Sequence, residues 1–164
     1  MPAEKNAAMA VINDVGNLKD IHPCDKRTVA KRLSLHALKR NYGWKHVQNE
    51  SPTLKSWKVE GNKFVLSFND ADGFYVYNAD RSLTTGFEVC GADGAWKPAK
   101  IVNFKASLRN GKKSYLGTVE GKDLIVEAEG VAAPKKLRYL YSAPWFGALY
   151  SEAGLPVGAF HIGD

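Results

Sequence analysis

The sequence predicts an α+β protein that is mainly β, in which a strand, a loop and a helix precede an antiparallel β-sandwich. Two observations support this fold class. Helical periodicity is confined to one segment, residues 25–42. Beyond residue 53, short apolar segments alternate with turn signals about every 8–12 residues, and no helical pattern separates them. Strands without intervening helices favour packed antiparallel sheets over a parallel sheet.

The N-terminal unit is predicted from a short apolar run and a capped helix. Residues 8–15, AMAVINDV, are expected to form a buried strand that ends near Asp14, and residues 17–24 to form a loop. Asp25 is a good helix N-cap, because its carboxylate can accept a backbone N–H of the first turn, and Gly43 suits the C-terminal end. Strand, loop and helix together would be the closing unit of an α/β layer.

An apolar stripe on the predicted helix indicates its packed face. Val29, Leu33 and Ala37 follow one another at intervals of four residues. If residues 9–43 close a larger α/β domain, we expect this stripe to be only partly covered within the chain. It would then pack on the sandwich or on another copy of the chain, because apolar patches avoid water.

Eight strands are predicted for the sandwich, at residues 54–59, 63–69, 74–78, 85–90, 97–104, 114–119, 123–128 and 137–141. The stretch SAPWFGALYSEAGLPVGAF at 142–160 has too many Gly and Pro residues for regular structure. The change of pattern near residue 50 divides the chain into an N-terminal segment, residues 1–50, and a β-sandwich domain, residues 51–164.

The formal net charge of +6 lies mostly in the first 50 residues, which hold nine Lys or Arg against five Asp or Glu. We interpret this excess as the solvated face of the predicted helix. No nucleic-acid partner is predicted, because no aromatic side chains interleave the basic residues. No membrane partner is predicted either, since no apolar run approaches the ~20 residues that cross a bilayer. Residues 1–16 show no signal-peptide pattern.

His22 lies in a loop that fits either a plain helix entry or the acid–base end of a hydrolase triad. A general-base histidine needs a carboxylate that fixes its tautomer and stabilises the imidazolium, and Asp20 and Asp14 are both near in sequence. Pro23 disfavours helical backbone angles at His22, so this side chain should project from an extended loop. On the residues alone, the favoured interpretation is that Asp20 and His22 are solvated loop residues before a helix. Cys24 is interpreted as a helix-entry residue, because a thiol nucleophile needs a positioned base.

Two blocks of the sequence resemble the sialate O-acetylesterase family, which are serine esterases of the SGNH-hydrolase superfamily. The first block, at residues 14–33, has an Asp-x-Gly turn, the motif Asp-Ile-His-Pro, a lysine and a V-x-x-R-L helix; the matching residues are Asp14, Val15, Gly16, Asp20, Ile21, His22, Pro23, Lys26, Val29, Arg32 and Leu33. The second block lies near the C-terminus and matches at Arg138, Tyr139, Leu149, Tyr150, Gly154, Leu155, Pro156 and Phe160. Tyr141 stands where the family usually has tryptophan, and Ala159 where it has proline.

The resemblance implies that His22 is the catalytic histidine and that a nearby aspartate orients it. The superfamily usually places this aspartate three residues before the histidine, where the present chain has Lys19. We therefore assign the role to Asp20 and retain Asp14 as the second candidate. The resemblance implies no metal and no organic cofactor, and the four histidines show no metal-ligand spacing.

The serine nucleophile of the family has no counterpart in this sequence. None of the nine serines follows a Gly-Asp or Gly-Gln pair, and no G-x-S-x-G motif is present. We therefore expect the chain to be the C-terminal portion of a carbohydrate O-acetylesterase, inactive alone, whose missing N-terminal part supplies the serine.

The implied substrate of that esterase is an O-acetylated sugar, either sialic acid or an acetylated polysaccharide, and the family implies a periplasmic or secreted protein. The alternative function is a non-catalytic carbohydrate-binding or scaffolding β-sandwich. Aromatic side chains that could stack on a sugar, but that more often serve packing, are Trp57, Trp96, Trp145, Phe146 and Tyr150.

Overall fold

The computed structural model describes residues 7–17, 19–22, 24–77, 86–109, 112–141 and 149–163. This part of the chain forms one helix and eleven strands: α1 (Lys26–Arg40), β1 (Thr53–Glu60), β2 (Lys63–Asn69), β3 (Phe74–Tyr77), β4 (Phe87–Cys90), β5 (Trp96–Ile101), β6 (Phe104–Arg109), β7 (Lys112–Val119), β8 (Leu124–Ala128), β9 (Lys136–Tyr139), β10 (Leu149–Ser151) and β11 (Phe160–Ile162). The predicted α+β, mainly β class is confirmed.

Two antiparallel sheets share one hydrophobic core. The larger sheet has the strand order β1-β2-β8-β5-β4-β9-β11, and the smaller sheet has the order β10-β3-β7-β6. In β3, β8 and β9, alternate residues are buried, as the pleat of a strand requires. Phe64, Leu66 and Val126 of the larger sheet meet Val76 and Leu149 of the smaller sheet in this core.

The segment predicted as a single strand at 97–104 forms two strands, β5 and β6, which are joined by a turn at residues 102–103. The turn is fixed by Asn103, whose side-chain amide donates to the carbonyl oxygens of Glu120 and Asp123 at 2.7 and 2.8 Å. The Asn103 amide oxygen in turn accepts the backbone N–H of Ile125. Sequence analysis missed the turn because its stabilising partners lie far along the chain.

The C-terminal stretch predicted as irregular, residues 142–160, contains regular structure where it is described. β10 pairs with β3, and β11, which starts at Phe160, pairs with β9. Each of these strands has only three residues. The Gly and Pro residues between them lie in the connection, so a high Gly and Pro content did not exclude short strands at the sheet edges. Residues 142–148, like residues 78 and 85 of two predicted strands, lie outside the described residues.

The strand predicted at residues 8–15 is not part of either sheet. Instead, residues 7–12 run beside α1, and the carbonyl oxygens of alternate residues accept hydrogen bonds from helix side chains one turn apart: Val11 from Arg32, Met9 from His36 and Ala7 from Arg40. A strand needs neighbouring strands to satisfy its N–H and C=O groups. The described residues provide no such strand here, and side chains of α1 provide the donors.

The helix begins as predicted and packs through a different face. Asp25 caps its N-terminus by accepting the backbone N–H of Thr28 at 2.9 Å, and Gly43 has a positive φ of 71° just after its C-terminal end. The buried residues of α1 are Arg32 and His36, whereas Leu33 keeps 50% of its surface exposed. The predicted apolar stripe is therefore only partly covered within the described residues, as we expected for a unit that closes a larger domain.

Hydrogen bonds connect the N-terminal segment to the sandwich. The Asn13 side chain donates to the carbonyl oxygen of Val157 at 2.8 Å, and the Gln48 side chain donates to the carbonyl oxygen of Asp70. The predicted division at residue 50 stays a prediction. No helix of the described residues is long and apolar enough to span a membrane.

Candidate functional site

The loop that carries His22 runs between two fixed points. At its start, the buried Asp14 carboxylate pairs with Arg32 of α1. At its end, Asp25 caps the first turn of the same helix. Between them, Asn17 and Asp20 form an isolated β-bridge, and Asn17 also accepts the backbone N–H of Lys19 through its side chain. The loop is thus tied to α1 at both ends.

His22 and Asp20 form a hydrogen-bonded pair within this loop. One carboxylate oxygen of Asp20, Oδ1, lies 3.0 Å from Nδ1 of the His22 ring and accepts the backbone N–H of His22 at 2.9 Å. When the ring proton resides on Nδ1, the imidazole donates it to the carboxylate and leaves Nε2 unprotonated. A histidine with a free Nε2 and a carboxylate on Nδ1 has the arrangement of a general base in a hydrolase triad.

The hydrogen bonds keep the Asp20 carboxylate ionised. The backbone N–H of His22 and, to a smaller extent, its ring lower the pKa of Asp20 from its ordinary value. Asp20 is therefore negatively charged throughout the range in which imidazoles normally titrate, and it can stabilise an imidazolium. The geometry fits the predicted roles of these two residues, which stay predictions.

Both members of the pair face solvent within the described residues. The side chains of His22 and Asp20 are 76% and 51% exposed. Two open cavities of about 550 and 480 Å³ lie elsewhere, one beside the β1–β2 turn and one between residues 39–48 and the sandwich. No group of three or more His, Cys, Asp or Glu side chains that could hold a metal ion occurs among the described residues.

Asp14, the second candidate for the orienting carboxylate, has different partners. Its two oxygens each accept a hydrogen bond of 2.6 Å from the guanidinium of Arg32, and Oδ2 also accepts the phenol of Tyr150 at 3.1 Å. The side chains of Asp14 and Arg32 are only 6% and 8% exposed. The structure therefore brings Asp20, and not Asp14, into hydrogen-bond contact with His22.

Two side chains of this Asp14–Arg32–Tyr150 cluster, Arg32 and Tyr150, hold fixed protonation states. Hydrogen bonding to Asp14 raises the pKa of Arg32. Burial, followed by the negative charge of Asp14, raises the pKa of Tyr150 well above its usual range. The guanidinium stays charged and the phenol stays protonated at any physiological pH, so both remain donors to Asp14.

Sequence analysis did not identify this cluster. Arg32 was interpreted with the solvated basic face of the helix, and Tyr150 as a candidate sugar-stacking residue. Both residues belong to the blocks that resemble the esterase family, as does Asp14. The available signal in the sequence was that Asp14, Arg32 and Tyr150 are polar residues that all match the family, although they lie in two distant blocks.

The aromatic residues considered for sugar stacking contact protein neighbours where they are described, and Trp57 keeps 48% of its surface exposed. Trp57 leans on Phe64 with ring centroids 5.8 Å apart, and the guanidinium of Arg138 covers the Trp96 ring at 4.2 Å. Tyr150 stacks on another tyrosine and donates to Asp14. Trp145 and Phe146 lie outside the described residues. Cys24 and Cys90 are both free thiols, exposed and buried respectively.

The fold and the loop define a class of unit: a two-sheet β-structure preceded by a helix, with a solvent-facing His–Asp pair at the helix entry. Comparisons with protein-family models and with curated proteins found no match. Among solved structures, the chain is similar to XAC1771, a novel carbohydrate acetylesterase from Xanthomonas citri, with 33% sequence identity and a TM-score of 0.71. The similarity covers 93% of this chain and 31% of that chain. It supports a relationship to carbohydrate esterases, and the chain spans about a third of the length of that protein.

Proposed function

We propose that this chain is the C-terminal portion of a carbohydrate O-acetylesterase of the sialate O-acetylesterase type, and that it contributes the histidine and aspartate of a serine-esterase triad. The main support is the contact between His22 Nδ1 and Asp20 Oδ1 at 3.0 Å, in a block whose sequence resembles that family. A second support is the similarity to a carbohydrate acetylesterase, which extends over 93% of this chain at 33% sequence identity.

The proposed reaction is acyl transfer in two steps. A serine from the N-terminal part of the enzyme attacks the acetyl carbonyl while His22 Nε2 accepts the hydroxyl proton, and the imidazolium then protonates the departing sugar oxygen. In the second step, His22 takes a proton from the water that attacks the acetyl-serine, and the imidazolium then returns this proton to the departing serine oxygen, which releases acetate. Asp20 holds the Nδ1 proton and stabilises the imidazolium in both steps.

The exposure of His22 and Asp20 agrees with an active site to which both this chain and the N-terminal part of the enzyme contribute. Within the described residues, the side chain of the proposed general base is 76% exposed, so this part of the chain does not enclose it in a pocket. We propose that the N-terminal part covers this loop and forms the substrate pocket. The proposed substrate is an O-acetylated sugar, either sialic acid or an acetylated polysaccharide, and the proposed location is periplasmic or extracellular.

One experiment tests whether the chain is active without the N-terminal part. The purified 164-residue chain should hydrolyse p-nitrophenyl acetate no faster than buffer, because a triad without its serine and oxyanion donors loses most of its rate. Hydrolysis by the pure chain that survives the substitution His22→Ala would contradict the proposal.

A second experiment tests the residue roles in the complete enzyme. His22→Ala should lower kcat by roughly 10²- to 10⁴-fold, the usual contribution of general-base catalysis, with KM nearly unchanged. Asp20→Asn should also lower kcat, because the amide can neither fix the tautomer nor stabilise the imidazolium.

Matched controls exist on the exposed surface. His46 is an exposed histidine outside the loop, and the Asp93 carboxylate accepts the N–H of Ala95 two residues on, as Asp20 does with His22. His46→Ala and Asp93→Asn should leave kcat unchanged. If His22→Ala kept near-full activity, the proposed role of His22 would be wrong, and the loop would be only the connection that leads into α1.

A further inference from the structure

We propose that the Asp14–Arg32–Tyr150 cluster is a positioning unit for His22, so that the β-sandwich holds the catalytic loop in place. The inference rests on the proposed function of His22. It assigns Tyr150, a residue of the smaller sheet, to the catalytic machinery as a positioning residue that acts through the loop.

The ion pair closes the loop. Asp14 and Arg32 are 18 residues apart in sequence, and the segment between them contains the whole His22 loop and the first turns of α1. Two parallel hydrogen bonds of 2.6 Å join the carboxylate and the guanidinium, a geometry that fixes orientation as well as distance. The Arg32 guanidinium also donates to the carbonyl oxygen of Val11 at 2.9 Å, which holds the chain just before the loop.

The sandwich reaches the start of the same loop through two hydrogen bonds. Tyr150 in β10 donates its phenol to Asp14 at 3.1 Å. The carbonyl oxygen of Val157, in the connection between β10 and β11, accepts the side-chain amide of Asn13 at 2.8 Å. Adjacent residues, Asn13 and Asp14, are thus bound to one short segment of the sandwich at the point where the loop departs.

The Tyr150 ring is itself held in place. It stacks on Tyr75 of the neighbouring strand β3, with centroids 5.2 Å apart and ring planes 12° from parallel. Two antiparallel strands therefore fix the direction of the phenol. A side chain whose ring face and hydroxyl are both occupied in this way suits positioning better than sugar stacking.

Stability alone is a weak explanation for the cluster. A buried ion pair often contributes no more to stability than apolar side chains of similar volume, because both charges lose their hydration. What such a pair does provide is one defined geometry. In a triad, a displacement of about 1 Å can cost on the order of 10²-fold in rate, so a fixed loop has a direct catalytic consequence.

The first test uses the 164-residue chain and needs no activity. Tyr150→Phe removes only the phenol oxygen and keeps the stacked ring. We expect it to shift the ¹⁵N resonances of the His22 imidazole, which report the tautomer, and to increase hydrogen exchange at the His22 amide. Tyr77→Phe is the matched control, because Tyr77 lies in the same sheet and is 52% exposed; it should change neither signal. Unchanged His22 signals in a folded Tyr150→Phe chain would overturn the inference.

The second test uses the complete enzyme. Tyr150→Phe should lower kcat by roughly 10- to 10²-fold with KM little changed, because the base is displaced while substrate contacts are kept. Arg32→Lys, which keeps the charge but loses the paired hydrogen bonds, should have the same signature, and Tyr77→Phe should have none. Reduced thermal stability with unchanged kcat for both variants would show a structural role and overturn the inference.

The two proposals fail in distinguishable ways. If the complete enzyme hydrolyses acetyl esters and this activity survives His22→Ala, the proposed function is wrong, whatever the imidazole resonances show. If activity depends on His22 but neither kcat nor the His22 resonances respond to Tyr150→Phe, only the positioning inference is wrong.

Discussion

Asp14 and Asp20 are six residues apart and have opposite environments. The Asp14 side chain is 6% exposed and bound by Arg32 and Tyr150. The Asp20 side chain is 51% exposed and bound by His22 alone among the described residues. The buried Asp14 carboxylate has fixed partners, as the proposed positioning role requires, whereas the exposed Asp20 carboxylate contacts the histidine that we propose as the general base.

These environments predict that the same substitution lowers the free energy of unfolding strongly at Asp14 and only slightly at Asp20. Asp14→Asn leaves the buried Arg32 charge uncompensated, so it should lower the free energy of unfolding by roughly 3–5 kcal/mol. Asp20→Asn at the exposed site should change it far less. Urea unfolding of the two variants beside the unchanged chain measures both values. Equal losses would contradict the distinction between the two aspartates.

The titration of Asp20 provides a test of its pair with His22. Because hydrogen bonds lower the Asp20 pKa, the carboxyl ¹³C resonance should titrate below the ordinary aspartate range. The associated stability is present above that range and is lost as the pH falls through the folded-state pKa.

In His22→Ala, the Asp20 pKa should rise only part of the way back, because the backbone N–H, the larger cause, is kept. An unchanged Asp20 midpoint in His22→Ala would show that the ring does not contact the carboxylate in solution.

Single residues were predictable from sequence to the extent that their partners were local. Asp20 and the N-cap Asp25 bond residues two and three positions away, and both contacts were anticipated. The phenol of Tyr150 bonds a residue 136 positions away. Local spacing contains no information on such a contact. Asp14 therefore remained, beside Asp20, a candidate for the carboxylate that orients His22.

At the scale of elements, α1 shows why its packed face was misassigned. Two stripes with a period of four residues run along it side by side, one apolar (Val29, Leu33, Ala37) and one polar (Arg32, His36, Arg40). Periodicity predicted the helix, but not that the polar stripe faces inward. The partners of that stripe are backbone carbonyls of residues 7–12, which any sequence would provide, together with the side chains of Asp14, Asn49 and Glu50.

The pairing of β6 with β7 depends on a glycine. A Cβ atom on Gly117 would lie 2.2 Å from the Phe104 ring and 2.5 Å from the carbonyl oxygen of Lys105. Gly117→Ala should therefore lower the free energy of unfolding by roughly 1–3 kcal/mol through overpacking.

Gly73→Ala is the control for this prediction, because nothing lies within 4 Å of a Cβ atom at that position. Thermal unfolding of both variants measures the difference. A stable Gly117→Ala chain would mean that β6 and β7 are spaced more widely than described.

At the scale of the whole molecule, the sandwich buries its hydrophobic core, whereas the N-terminal unit leaves several large hydrophobic side chains exposed. Of the ten large hydrophobic side chains that are exposed among the described residues, six lie between residues 9 and 44: Met9, Ile12, Ile21, Leu33, Tyr42 and Trp44. The sandwich buries its core between two sheets. Turns and alternating strands are local signals, so the sequence predicted the sandwich, whereas the packing of α1 depends on contacts that no local pattern contains.

This contrast predicts that Leu33 matters in one context only. Leu33 is 50% exposed in the chain, so Leu33→Gln should change the stability of the 164-residue chain by less than about 0.5 kcal/mol. In the complete esterase that we propose, the same face of α1 would pack on the catalytic domain, and burying a polar amide there should cost about 1–3 kcal/mol. Val59→Gln on the edge strand β1, where Val59 is 41% exposed, should be neutral in both proteins. Differential scanning calorimetry of the four variants decides the point, and a neutral Leu33→Gln in the complete protein would mean that this face of α1 remains in water.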